Sequence, residues 1–490
     1  MKAYILGFVF CTVTLFGSTP IKDSIVKVYS TTTEYSYKAP WSPPMTRNAA
    51  GSGCVIEGNR ILTNAHVVAG ASFIEVKSAT SNEKYEAVVK VIGHDCDLAI
   101  LEVEDPEFFK GKAPLSISSS IAIQREEVQV YGFPRGGAGL SITKGIVSRI
   151  EMGQYAHSSA FLLLSQIDAP LNPGNSGGPV ISGGEIVGIA HQGFSSGQNI
   201  GYMIPIPIIH HFLKEVESLK LEEDYKGFPN LPLKTQTIRN PGMRSFYGLD
   251  EHTGGLLVTY IPENHFLFDA LCPGDILVGI DHHDIDPFGC VAYPELGLTL
   301  PFDYEIMMKY FGDEIDLEIL RDGKKHSLNV RIDETRRGEP LVTMTEYDKP
   351  PTYYIVGGMV FQPLVGNMLE NYLSFGGDFL FIDLMHHCFR GKVENSRDEI
   401  VVLSRVLKDR VNEGYQSLEN EVVKEVNGIK ICNMQDLIQV FENSQETYFV
   451  IETQDNEKII LDRDEVVKRS PLILQRYFIS SERSDDLKAS

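Results

Sequence analysis

A mainly β fold is predicted by three observations: short β-branched runs follow one another from about residue 24 to 219, glycine punctuates them, and helical spacing appears only at their end. The runs are 53–56, 61–62, 73–77, 87–93, 98–103, 128–132, 142–150, 161–168 and 186–191. Many short strands with turn signals between them read as a sandwich or a barrel. Residues 206–219 then switch to helical spacing and close this first domain.

The stretch 222–241, rich in charge, proline and asparagine, reads as a linker merging into a second module. There, 255–262 is predicted as a strand, 267–271 as a short helical segment, and 273–281 as a turn feeding a strand. After 304–311 come two strands, 315–321 and 325–332, joined at the hairpin signal Asp322-Gly323. A comparable order recurs downstream and suggests an internal repeat: strand-like 401–407, strand and turn at 422–429, helix 433–443, then 448–453 paired with 458–461. The span between the modules is the natural linker, and the polar tail from Ser480 reads as frayed.

With 490 residues the chain exceeds one ordinary core and calls for two to four domains. Its 43% hydrophobic and 22% charged residues match soluble globular usage, which excludes a disordered or polytopic membrane chain. A net charge of -22 with no basic stretch would repel a phosphate backbone, so no nucleic-acid partner is expected. Met1-Lys2, an apolar stretch over 3–16 and Gly17-Ser18-Thr19-Pro20 resemble a signal peptide over 1–19, too short to span a bilayer. Export to a periplasm or the exterior is the expectation, with organellar targeting as the alternative. Cys54, Cys96, Cys272, Cys290, Cys388 and Cys432 are scattered without a C-x-x-C pair and read as buried free thiols. No metal and no cofactor is expected.

The chemistry concentrates in three motifs. Thr63-Asn64-Ala65-His66 follows a strand-like run, Asp95-Cys96-Asp97-Leu98-Ala99 opens another, and Asn172-Pro173-Gly174-Asn175-Ser176-Gly177-Gly178-Pro179 comes last. Serine is a weak nucleophile that needs a base and a group to orient that base. His66, Asp97 and Ser176 supply these in the order of a chymotrypsin-type triad. Asp95 is the rival carboxylate. Gly174-Asn175-Ser176-Gly177-Gly178 also fits the G-x-S-x-G elbow of α/β-hydrolases. That fold would place its acid and histidine after the serine, in a chain alternating strands with helices, and the order here is the reverse.

Thr63-Asn64-Ala65-His66, Asp97-Leu98-Ala99-Ile100 and Gly174 to Pro179 resemble the three signature motifs of the HtrA/Deg family of serine proteases with C-terminal PDZ domains. Asn199 to Pro205 and Pro351 to Gly358 resemble the plant-type branch with two PDZ modules. The resemblance implies a chymotrypsin-like double β-barrel over 20–221, α+β PDZ modules over 222–335 and 351–470, a linker over 336–350 and a tail over 471–490. It implies His66 as general base, Asp97 as its orienting acid, Ser176 as nucleophile, and the amides of Gly174 and Ser176 as oxyanion hole. The family places the acid before Leu-Ala, which favours Asp97 over Asp95.

By the same resemblance Ala190, His191, Gln192 and Gly193 form the strand on which substrate backbone pairs, and His191 and Gln192 depart from the usual family sequence and are expected to alter the pocket rim. Pro170 stands six positions before the serine, where trypsin-like enzymes hold a carboxylate, so cleavage after small or medium apolar residues is expected. In the first module the carboxylate-binding loop falls at 228–233, where Pro232 has no amide to donate. In the second it falls at Gly357, Gly358, Met359 and Val360. Tyr29, Tyr35, Tyr37 and Trp41, ahead of the first barrel, imply a homo-oligomer, a trimer or a multiple of trimers. The implied activity is ATP-independent endoproteolysis of unfolded or damaged proteins; the alternative is a non-proteolytic holdase or PDZ scaffold with a resting site.

Overall fold

The computed structural model describes residues 21–134, 139–193, 200–220, 223–250, 253–294, 296–369, 380–391, 393 and 398–488, so the signal peptide expected over 1–19 lies outside the described residues. Strands β1 (Ile25–Glu34), β2 (Met45–Ile56), β3 (Arg60–Thr63), β4 (Ala71–Ser78), β5 (Tyr85–Gly93) and β6 (Leu98–Glu102) close into an antiparallel barrel in the order β1-β2-β3-β6-β5-β4. Val26, Val28, Val55, Ile61, Val76 and Leu101 fill it. Each such side chain contributes roughly 1.5–3 kcal/mol on leaving water.

A second barrel follows from β7 (Glu127–Gly132), β8 (Ser141–Gln154), β9 (Phe161–Ile167), β10 (Pro179–Ser182), β11 (Glu185–Gly193) and β12 (Gly201–Pro205), in the order β10-β11-β12-β9-β8-β7. Closure leaves neither sheet with an open edge. The one-turn helix α1 (Ala65–Val68) sits between β3 and β4, and α2 (Ile206–Ser218) buries Ile208, Ile209 and Phe212 after the second barrel. The predicted mainly β domain is therefore a pair of barrels, and their facing loops carry the three motifs.

Downstream, the first module holds β13 (Lys234–Thr237), α3 (Pro241–Phe246), β14 (Leu256–Tyr260), β15 (Ile276–Ile280), β16 (His283–Asp284), β17 (Cys290–Tyr293), β18 (Leu298–Pro301), α4 (Asp303–Met307), β19 (Glu314–Arg321) and β20 (Lys324–Arg331). The main sheet runs β13-β14-β15-β19-β20. Residues 267–271 form hydrogen-bonded turns where a helix was expected. The second module holds β21 (Tyr354–Val356), β22 (Met359–Pro363), α5 (Leu380–Arg390), β23 (Val401–Val406), β24 (Glu421–Val426), β25 (Ile429–Lys430), α6 (Met434–Asn443), β26 (Tyr448–Thr453), β27 (Lys458–Asp462) and α7 (Arg463–Arg476). Both modules repeat one order, a helix followed by a terminal hairpin: α4 with β19 and β20, α6 with β26 and β27.

Two expectations change, those for the tail and for the Gly357-Gly358 loop. The tail is not frayed over its described part: Ile355 N–H donates to Glu482 O at 2.7 Å and Ser484 N–H to Tyr353 O at 3.0 Å. Tyr29 lies within β1, while Trp41 packs edge-on against Tyr353, at 6.2 Å between centroids, and Tyr37 packs on the cluster around Val342 and Met368. Two of the four N-terminal aromatics thus engage the C-terminal module of the same chain. Gly357 and Gly358 form the two-residue turn of the β21–β22 hairpin, with φ of 57° and 83°. The Gly357 amide is taken by Ser470 Oγ at 3.0 Å, and Met359 and Val360 lie in a strand paired on both sides. This is a buried hairpin, not an open carboxylate loop.

Candidate active site

The site is assembled where the barrels meet. Asp97 precedes β6 with φ of 53°, and Asn64 Nδ2 donates to its carbonyl at 2.8 Å. That conformation drives the carboxylate into the interior, where it is fully buried. Its Oδ1 accepts the His66 amide at 2.8 Å, one of the donors that α1 leaves without an intrahelical partner. Its Oδ2 accepts His66 Nδ1 at 2.7 Å. A carboxylate here only accepts, so Nδ1 carries the hydrogen and Nε2 is the basic nitrogen. The His66 side chain keeps 35% of its surface exposed and so remains accessible to substrate.

Burial by itself would push the Asp97 carboxyl up, but the field of His66 and hydrogen bonds from His191 and His66 outweigh it and hold the group well below the usual carboxylate range. At His66 burial works against the charged ring, yet the field and hydrogen bond of Asp97 win and raise its proton affinity above the ordinary histidine value. The pair is built to stabilise the imidazolium that forms when the ring takes a proton.

Ser176 sits on the turn before β10. Its carbonyl accepts Ser52 N–H at 2.8 Å, and Ser52 Oγ donates to Gly174 O at 2.7 Å while accepting Phe133 N–H at 2.9 Å. The first barrel thereby clamps the Ser176 loop from both sides. A Cβ at Gly177 would collide with the Ser52 carbonyl and one at Gly178 with the Tyr131 carbonyl, so this close approach requires both glycines. Among the described residues the amides of Gly174 and Ser176 meet no internal acceptor, which suits them to an oxyanion. The Ser176 hydroxyl donates to His191 O at 3.2 Å, and among the described contacts it makes no hydrogen bond to His66.

Asp95, the rival acid, serves the domain junction: it accepts Cys96 N–H and Phe228 N–H, each at 2.8 Å. The 228–233 segment is likewise packed at the junction, with Phe228 stacked on His211 at 4.0 Å between centroids. In the expected substrate strand, the Ala190 amide and carbonyl are both taken, by Gly178 and Gly177. Gln192 and Gly193 pair with Tyr202 and Gly201 of β12. His191 points into the protein instead of the pocket rim, with Nδ1 2.7 Å from Asp97 Oδ2.

Sequence reasoning also missed a second layer. His94 Nδ1 lies 3.0 Å from His157 Nε2, and the His157 ring stands 6.2 Å from that of His66. Burial lowers His157 to about 4 despite the field of Asp97. Tyr347, from the inter-module linker, stacks on His94 at 4.0 Å and donates to His157 O at 2.7 Å. Asp348 meets His94 Nε2 at 2.9 Å and accepts the Gly70 amide. The linker is therefore docked on the double-barrel domain, and the signal was no more than a tyrosine-aspartate pair in a polar stretch.

Residues 51–189 match the trypsin-like peptidase domain and residues 342–486 a PDZ domain. With two closed barrels ahead of the PDZ region, the class is that of the serine endopeptidases that carry PDZ modules. Protease Do-like 4, mitochondrial, of Arabidopsis thaliana is 34% identical over 464 residues, covering 95% of this chain and 85% of the relative. Protease Do-like 2, chloroplastic, of the same plant is 36% identical over 471 residues, covering 95% and 75%. A solved HtrA-type protease, AlgW with tripeptide, superposes with a TM-score of 0.50 at 22% identity, over 64% of this chain and 94% of that one, and supports the fold. The chain belongs to the HtrA/Deg family of serine proteases.

Proposed function

We propose that His66, Asp97 and Ser176 are the triad of this serine endopeptidase and that its substrates are unfolded or damaged polypeptides, cleaved without ATP. The observation that carries the reading is the buried Asp97 carboxylate on His66 Nδ1, beside a serine whose own amide and that of Gly174 are unspent. Ser176 Oγ leaves the His191 carbonyl, gives its proton to His66 Nε2 and attacks the scissile carbonyl. The two amides receive the oxyanion, and His66 returns the proton to the leaving amine. Casein degradation and fluorophosphonate labelling test this. Wild type should show both and Ser176→Ala neither; retained activity in the variant overturns the assignment.

The resting contact of Ser176 with His191 supports a second reading, a holdase or PDZ scaffold whose site stays unaligned. Suppression of client aggregation by wild type without any cleavage would establish it. We take residues 222–335 as a first PDZ module on the strength of the shared helix-then-hairpin order. For localisation, the mitochondrial and chloroplastic names of the relatives favour the organellar alternative over export, and N-terminal sequencing of the mature protein decides between them. The assembly is proposed as a trimer or a multiple of trimers; a monomer by light scattering at micromolar concentration overturns that.

A further inference from the structure

We propose that His191 is a positioning residue for the triad, which its side chain and its carbonyl hold from opposite ends. It lies in the pairing of β11 with β12, where Ala190 opposes Met203 and Gln192 opposes Tyr202, so His191 is the extra residue of a β-bulge. Bulges re-aim side chains. Here the consequence is that consecutive residues Ala190 and His191 are both buried, His191 being 2% exposed.

Two contacts follow from that placement. The ring's Nδ1 donates to Asp97 Oδ2 at 2.7 Å, the same oxygen that His66 Nδ1 meets at 2.7 Å. The main-chain oxygen of the same residue accepts the Ser176 hydroxyl at 3.2 Å. Asp97 thus receives two imidazole N–H groups on one oxygen, and the second fixes the carboxylate's plane independently of His66. The fully buried ring of Tyr155 braces His191 at 4.7 Å, and the Tyr155 hydroxyl is anchored on Leu163 O at 2.8 Å. Among the described residues His191 Nε2 has no hydrogen-bond partner. An unpaired buried nitrogen carries a cost, which the donor on Asp97 offsets. A histidine that merely lined a pocket rim would be exposed and would have no reason to meet the catalytic acid.

The titratable groups around the ring are Asp97, His66 and Tyr155, with His157 beyond His66. Removing the His191 donor concentrates the Asp97 charge on His66, stabilises the imidazolium and lowers the fraction of His66 present as free base at a given pH.

The inference rests on Ser176 as nucleophile, and its test separates the two. His191→Phe keeps an aromatic ring against Tyr155 without a donor, whereas His191→Asn restores an N–H donor toward Asp97. With a fluorogenic peptide, His191→Phe should lower kcat about 10- to 100-fold with KM nearly unchanged, the scale of a misplaced catalytic group. Its acid limb should move up by about 0.5 pH unit or more. His191→Asn should recover most of the kcat. Thermal melts run in parallel, and a fold lost in His191→Phe leaves His191→Asn against His191→Ala as the deciding pair. An effect confined to KM or to cleavage preference, with the pH profile unmoved, or no rescue by Asn, overturns the inference. Loss of labelling in Ser176→Ala alongside such a result leaves the protease assignment standing, whereas undiminished labelling in Ser176→Ala removes the assignment itself.

Discussion

Two buried carboxylates, one in the protease domain and one in the C-terminal PDZ region, are each gripped by two side chains of a single type, and the types differ. Asp97 accepts from the imidazoles of His66 and His191. Asp409 accepts from the guanidiniums of Arg469, through Nε at 2.8 Å, and Arg476 at 2.9 Å, while capping Val411 N–H at 3.2 Å. Arginine does not give up its proton in a protein, so the Asp409 site has one charge state and pins α7 to the loop after β23. Histidine exchanges its proton near neutrality, so the same geometry at Asp97 becomes a device for moving one. On the proposed triad, the partner's proton affinity distinguishes a catalytic carboxylate from a structural one.

The largest expected effect breaks the comparison on the catalytic side. Asp97→Asn keeps the shape of the side chain but reverses the polarity of one position, which favours the wrong tautomer of His66. By analogy with the triad of chymotrypsin-type enzymes, kcat should fall about 10⁴-fold. Asp409→Asn, the same chemical change, should leave kcat on a short peptide unaltered. Its cost is stability. Breaking a buried pair costs about 3–5 kcal/mol, and because the Arg476 side chain is 52% exposed we expect on the order of 2–3 kcal/mol for the second module. Thermal melts and peptide hydrolysis on both variants measure the two axes, and a kcat loss in Asp409→Asn would contradict the division.

Acidity sharpens it. The proton affinity of His66 is raised above the ordinary 6.5, so the base is spent at lower pH, and the acid limb of kcat/KM should have its midpoint above 6.5. Hydrogen bonding by Arg469 brings Asp409 down from 3.8 to about 2 against the effect of burial. A depressed carboxylate contributes stability that is present above its unfolded value and lost as pH falls through the folded one. The second module should therefore hold its Asp409 contribution at pH 5 and shed it between about 4 and 2. Activity should fade several pH units before that module loosens, and coincidence of the two transitions would count against the assignment.

The two carboxylates were unequally legible. Asp97 was visible because it precedes Leu98-Ala99 in a run of β spacing and follows a histidine motif, so residue type, order and pattern agreed. Both barrels were legible as a succession of runs, although β1, β10 and β12 were not among those assigned, and their closure is a matter of long-range pairing that no local pattern encodes. Asp409 lies in a short loop and finds its arginines about sixty residues downstream on α7, a helix that went unassigned. His191 was noticed as a departure but placed on the pocket rim, since strand alternation alone gives no notice of a bulge. The buried turn at Gly357-Gly358 has the composition of a ligand loop, and only the helix packed over it, with Val466 against Gly357, distinguishes the two.

The smallest effect belongs to Asp348, which stands between the two cases. Its partners are one imidazole, His94, and one amide, Gly70, and its side chain is 37% exposed. Burial opposes its charge, but His94 and the Gly70 amide keep it below the usual carboxylate range, so its contribution is present above 3.8 and lost in acid. Exposure screens that contribution to below about 1 kcal/mol. Asp348→Asn should leave the melting temperature nearly unchanged while making the linker around Tyr347 more open to limited proteolysis, since the stack on His94 loses its tether. If this substitution instead lowered kcat as far as Asp97→Asn, pairing with a histidine would suffice to make a carboxylate catalytic. The distinction would then rest on burial beside the nucleophile and not on the partner's chemistry.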